Sequence, residues 1–243
     1  MNLSVVGCVF VLDNEVNANK KKNDIKTLKV LINKETGELV RSEFSEDLGI
    51  KDNIRNKIKN IIGSDKFHLE QVYTLGEKRF FGDNRIDILY MGLTNINNIK
   101  KLDDNYDLVD FRVVEDKELI VGDNNYKYKT DKVLKAGSLE YYHKIKVDDI
   151  GMEKNLLEMM IVYKHLRSRM DSTDICFKLL PDEFTLEDVR IVYELIKDVK
   201  VDKSNFRKKI VKYCTKVDVV EDKKGYRPSQ KYKFNPDSVK DWI

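Results

Sequence analysis

The chain is poor in the residues that would hold a fold together by covalent or metal links. Its 243 residues include three cysteines (8, 176 and 214) and three histidines (68, 143 and 165), all widely separated. Such an odd, scattered set forms no disulfide framework, and no CxxC pair with a nearby histidine offers zinc-ligand spacing. No apolar run approaches the ~18 residues of a membrane span, and no basic segment leads into an apolar stretch with a small-residue end. A soluble, cytoplasmic protein without a metal or other cofactor, and away from membranes, is expected. Low-complexity linkers and internal repeats are absent too, so any domains should be joined rigidly.

Enough remains for two hydrophobic cores. Hydrophobic residues make up 41% and aromatics 9%, while the 36% of charged residues mix both signs. This composition belongs to a folded protein and not to a disordered one. The run LSVVGCVFVL (3–12) is apolar, β-branched and of strand length, which predicts a central buried strand. Further strands are predicted over 27–32, 68–75, 85–93, 108–114, 119–129 and 139–145, with a turn at Asp123-Asn124-Asn125. Between them, Ile54, Ile58, Ile61 and Ile62 fall at helical spacing ahead of Gly63, a stop signal. One helix among many strands predicts an α+β mixed-sheet domain over 1–150. A long helix over 152–170 should bridge to the rest through 151–172, with Leu156, Met159, Met160, Tyr163, Leu166 and Met170 on its core side.

Residues 173–243 read differently. Thr185 and Asp188 have capping-box spacing, followed by an apolar face of Leu186, Val189, Val192, Tyr193 and Ile196. After a turn over 197–201, Asp202 is a candidate N-cap for a second helix through Cys214, with Phe206, Ile210 and Tyr213 on its inner face. Ser204, Asn205, Lys208 and Lys212 point away, flanked by Arg207 and Lys209. Strands over 216–220 and 227–234 around a charged turn complete helix, turn, helix and basic hairpin, which is a winged helix. From 201 to 243 there are twelve Lys and Arg against six Asp and Glu, so this end is +6 in a chain of +3 overall. A basic end of this form suits duplex DNA. Candidate DNA contacts are Lys203, Ser204, Asn205, Arg207, Lys208, Lys209 and Lys212 on the helix, and Lys224, Arg227, Ser229, Gln230 and Lys231 on the wing. A solvated basic surface, or one that meets protein or RNA, is the competing reading of the same charges.

The segments LLPDEFTLEDVRIVYELI (179–196), DKSNFRKKI (202–210) and RPSQKYKF (227–234) resemble, in order, the winged-helix half of the Nudix-related transcriptional regulators of the NrtR type. LEQVYTLGEK (69–78) and RIDILYMGL (85–93) resemble the strands that follow a Nudix helix. The resemblance implies a degenerate Nudix-like domain followed by a winged helix. It also implies ADP-ribose or a related metabolite as effector and NAD metabolism as the regulated process; a repressor is expected, and, since one winged helix offers a single short reading head, a homodimer on a palindromic operator. A sugar-responsive regulator of the same architecture is the alternative effector reading. No residue of an effector pocket can be assigned by motif.

The catalytic Nudix box, G-x5-E-x7-R-E-U-x-E-E-x-G-U, has glutamates that hold the divalent cations. With its last glycine on Gly63, the box places Asn56-Lys57-Ile58-Lys59-Asn60-Ile61 where R-E-U-x-E-E belongs, Ser42 at its first glycine and Leu48 at its first glutamate. No catalytic residue and no metal ligand is therefore expected. An atypical nucleotide pyrophosphatase would need another carboxylate site, for which Glu43, Glu46 and Asp47 are the candidates.

Overall fold

The computed structural model describes residues 2–15, 25–45, 47–76, 85–135, 138–145, 147, 150–172, 174–217 and 229–238. Nine strands form one mixed sheet: β1 (Asn2–Glu15), β2 (Ile25–Asn33), β3 (Val40–Glu43), β4 (His68–Leu75), β5 (Arg85–Asn95), β6 (Tyr106–Val114), β7 (Glu118–Val121), β8 (Asn124–Lys135) and β9 (Ser138–Ile145). The order is β4-β5-β1-β2-β6-β7-β8-β9, with β3 also on β1. β1 and β5 run parallel, pairing Asn2–Leu12 with Arg85–Asn95, and the other pairs are antiparallel.

β1 is apolar throughout because both of its faces are covered. Val5, Val9 and Val11 meet helix α1 (Ile50–Ile62), whereas Val6, Cys8, Phe10 and Leu12 face the opposite core. Alternation of polar and apolar residues is lost when a strand is buried on both sides. α1 lies close to β1 because position 7 is glycine: a Cβ there would come within 3.0 Å of Ile58. Ile54, Ile58, Ile61 and Ile62 are all buried, and Gly63 ends the helix at φ 65°. Burial of each such side chain contributes roughly 1.5–3 kcal/mol.

On the other face lies α2 (Ile150–Arg169). The expected apolar stripe is only part of its buried surface, since Leu157 and Val162 are buried as well. α2 is wedged between the sheet and the C-terminal helices, so two sides need apolar residues. Phe10, Phe111 and Tyr163 join β1, β6 and α2 with ring centroids 4.9–6.2 Å apart. Polar side chains lock the same junction: Asn155 accepts from Leu39 N at 3.0 Å and donates to Gly37 O at 2.8 Å.

A buried ionic cluster was not anticipated. Arg41 on β3 reaches Asp87 on β5 at 2.7 Å and Glu158 on α2 at 2.5 Å, and Lys154 meets Asp87 at 3.2 Å. Burial, with Asp87 alongside, pushes the Glu158 carboxyl up to about 8. Asp87 is likewise desolvated, but Arg41 and Lys154 hold it below the usual carboxylate range.

The C-terminal part contains a 3-10 turn (Asp174–Leu179), α3 (Leu186–Lys197), α4 (Lys203–Ile210), a second 3-10 turn (Val211–Tyr213) and the short strands β10 (Cys214–Lys216) and β11 (Tyr232–Phe234). Several bounds differ from those expected. The second helix gives way to a 3-10 turn after Ile210, because Cys214 already pairs with Phe234 in the hairpin. The β7–β8 turn centres on Gly122-Asp123, with Gly122 at φ 58°, and Asn124 and Asn125 pair into β8. The expected strand over 216–220 lies largely outside the described residues, as does the start of 227–234.

Candidate nucleic-acid interface

α3 starts as its sequence signal predicts. Thr185 Oγ1 accepts from Asp188 N at 3.1 Å, and Asp188 Oδ2 accepts from Thr185 N at 2.8 Å. Burial opposes the charge on Asp188, yet Thr185 and Lys26 keep its carboxyl below the usual range, so the cap stays anionic at a helix N-terminus. Two side chains of α2 cap the far end: Tyr163 Oη donates to Ile196 O at 2.8 Å and an Arg167 N–H to Lys197 O at 3.0 Å. The first helix of the pair is thereby fixed to the bridging helix.

The turn into α4 is held by Glu194. Its nearly buried carboxylate accepts the Val201 N–H at 3.0 Å, Arg190 at 2.5 Å and Lys200 at 3.1 Å. Although burial works against it, these donors hold Glu194 below the usual carboxylate range. Arg190 also contacts Glu187 at 2.7 Å, which in turn meets Lys203 of α4 at 3.3 Å. The i, i+3, i+4 spacing of Glu187, Arg190 and Glu194 was the available sequence signal for this network.

α4 begins at Asp202, whose side chain accepts from Asn205 N at 2.8 Å. Its inner face is Phe206, packed on Tyr193 with ring centroids 5.2 Å apart, and Tyr213 is buried in the turn that follows. The outer face presents Lys203, Ser204, Asn205, Arg207, Lys208, Lys209 and, one turn on, Lys212, all exposed. Lys212 lies over the Tyr213 ring at 4.8 Å. The wing is anchored beneath: Tyr232 exchanges two main-chain hydrogen bonds with Phe184, 2.8 and 3.0 Å, and Phe234 stacks on Phe177 at 4.5 Å. Ser229 and Lys231 are exposed beside α4. Gln230 is turned inward, donating to Val217 O at 2.7 Å and to Lys231 O at 2.9 Å. Lys224 and Arg227 lie outside the described residues. Lys203, Arg207, Ser229 and Gln230 line one hollow of about 310 Å³, while Asn205 and Lys209 line a second of about 250 Å³.

Residues 176–234 match the family model of the NrtR DNA-binding winged helix domain. The C-terminal part is a winged helix domain, similar to that of the NrtR type. Solved structures extend the likeness in fold to the whole chain. A MutT/nudix family protein from Enterococcus faecalis superposes with a TM-score of 0.66 at 15% identity, over 96% of this chain and 88% of that one. Shewanella oneidensis NrtR complexed with a 27mer DNA gives 0.61 at 13% identity, over 98% and 95%. Its structure without that DNA gives 0.61 at 12%, over 98% and 96%. No curated protein matches the sequence. The architecture is a Nudix-like mixed-sheet domain followed by a winged helix.

Residues 56–61, set against the end of the Nudix box in the sequence, sit on α1. Asn56, Lys57, Lys59 and Asn60 are exposed, while Ile58 and Ile61 face the core. Glu43 and Asp47 are exposed, and Glu46 lies outside the described residues. Among the described residues, no group of three or more His, Cys, Asp or Glu could hold a metal ion, and no helix is long and apolar enough to cross a membrane.

Proposed function

We propose that this protein is a DNA-binding transcriptional regulator, a repressor acting as a homodimer on a palindromic operator, with α4 as its reading helix. The observation that carries this is the exposed row from Lys203 to Lys212 on an NrtR-type winged helix. Asn205 lies near the start of α4, where an amide can pair bidentately with adenine, and the lysines beyond suit phosphate. In this reading residues 1–150 form the sensing domain, 151–172 the link and 173–243 the DNA-binding domain. The sensed molecule is ADP-ribose or a related metabolite, bound without hydrolysis, because the box positions on α1 carry lysine and asparagine in place of carboxylates. Selection of duplexes from a random pool by the full chain tests the reading. A recovered two-fold motif supports it, and recovery of no motif at moderate salt overturns it.

A further inference from the structure

The hollow of about 250 Å³ beside α4 lies between the end of α2, the 3-10 turn that follows it, and helices α3 and α4. It is smaller than the ~300–1,000 Å³ of drug-sized sites, so it suits a single ring with a short head and not a nucleotide. Three rings line it: Phe177, Tyr193 and Phe206, the last two tilted by 55° with centroids 5.2 Å apart. Tilted rings favour an aromatic guest over an aliphatic one, through edge-to-face contact. The polar atoms of the apolar wall already have partners. The Tyr193 hydroxyl donates to Asp171 at 2.5 Å and the Cys176 thiol to Val189 O at 3.8 Å. A hydroxyl on the ring of the guest would find no partner there and would be disfavoured.

Both signs of charge stand at the mouth. Asp202 uses one carboxylate oxygen to accept from Asn205 N at 2.8 Å, and it makes no ion pair among the described residues. Lys209, exposed and likewise without an ion pair among them, is seven residues further along α4. That is ~10 Å by helix rise, and a side chain on a helix leans towards the N-terminus, here back towards Asp202. Asp171 on the same rim is already engaged: Lys197 and Tyr193 take its two oxygens at 2.5 Å each and, with Lys209 nearby, hold its carboxyl below the usual range. A carboxylate and an ammonium above an aromatic wall match the zwitterion of an aromatic amino acid.

We propose that this hollow binds a free aromatic amino acid of the phenylalanine kind, with its ring among Phe177, Tyr193 and Phe206, its ammonium on Asp202 and its carboxylate on Lys209. The assignment does not depend on the reading of α4 as a DNA-contacting helix, since no step of it needs a duplex.

Calorimetry on the full chain tests it with five probes: L-phenylalanine, L-tyrosine, L-leucine, phenethylamine and 3-phenylpropionate. Saturable binding of L-phenylalanine is expected, with each of the others weaker. Asp202→Asn keeps the helix cap, because asparagine caps as well as aspartate, so the melting temperature should stay. Its affinity for L-phenylalanine and phenethylamine should fall by about tenfold or more, as expected for loss of a charge-assisted hydrogen bond, with 3-phenylpropionate unaffected. Lys209→Gln should show the converse, weakening L-phenylalanine and 3-phenylpropionate and sparing phenethylamine. No saturable binding of L-phenylalanine up to about 1 mM would overturn the site. Equal affinity for all five probes would reduce it to an unselective apolar hollow and overturn the ligand class. Affinities that stay unchanged in both variants, or that fall for every probe alike, would overturn the placement of the two charged ends.

Discussion

Glu194 on α3 accepts the main-chain N–H of Val201 at 3.0 Å, across the turn that leads into α4. The same carboxylate takes Arg190, which has Glu187 as a second acceptor, and the exposed Lys200, so its removal strands chiefly the Val201 N–H. Glu194→Ala should cost on the order of 1–3 kcal/mol, the usual penalty for stranding such groups, and lower the melting temperature by several degrees. Glu194→Gln keeps an acceptor for Val201 and should cost less. Thermal unfolding of the two variants checks this, and equal losses would remove the turn from the account.

The cluster of Arg41, Asp87, Lys154 and Glu158 makes stability depend on pH. Glu158 is pushed up to about 8 by burial, so the folded state holds a proton that the unfolded chain has released above about 4.5. Stability from this group is complete below about pH 4.5 and falls as pH rises through about 8, at up to about 1.4 kcal/mol per unit. Glu70 has the opposite sign. It is half-buried, but Arg169, His68 and His165 lower its carboxyl to about 2, so its contribution is lost as pH falls from about 4.5 through about 2. Denaturant melts of Glu158→Gln should show a flatter profile between about pH 5 and 8 than those of the unaltered chain. A profile unchanged by the substitution would refute the assignment to Glu158.

Local signals were the readable ones. The strand His68–Leu75 and the capping box of Thr185 and Asp188 occur as the sequence implies, because the strand carries its signal in its own residues and the cap closes between residues three apart. Contacts between distant segments were not readable. β3 has four residues with one fully buried side chain, Val40, and exists because Ser4–Gly7 supplies its partner. Phe184 looks like loop until Tyr232 arrives to pair with it. Glu158 would be placed on a solvated helix face, since nothing near it in sequence shows that Arg41, 117 residues away, will meet it in the core. On α4 the outward row was legible from helical spacing, whereas the inward turn of Gln230 depends on the carbonyl of Val217 across the wing.

The exposed face of α1 leads to a prediction about chemistry. Lys57 and Lys59 are exposed on α1, and a cationic face repels Mg²⁺. The chain should show no metal-dependent hydrolysis of ADP-ribose with Mg²⁺ or Mn²⁺. A rate well above background that disappears in Glu43→Gln or Glu46→Gln would establish the carboxylates ahead of α1 as a working site instead.

In the proposed function the outer face of α4 makes two kinds of contact, which should respond differently to mutation. Asn205 is exposed in the first turn, close to the Asp202 cap, where a winged helix entering the major groove brings its side chains to base edges. Asn205→Ala should relax preference at one position of each half-site, at a cost on the order of 1–3 kcal/mol. Lys208 and Lys212 are expected to meet phosphate, so replacing either by Ala should weaken all duplexes alike and reduce the salt slope by about one. Two copies of α4 related by a two-fold axis would reach half-sites about one helical turn apart, roughly 34–36 Å, or a multiple of it. Sedimentation of the protein with a selected duplex should therefore show two chains per site. If charge reversal at both Lys208 and Lys212 left duplex affinity unchanged at moderate salt, α4 would not be the contacting helix.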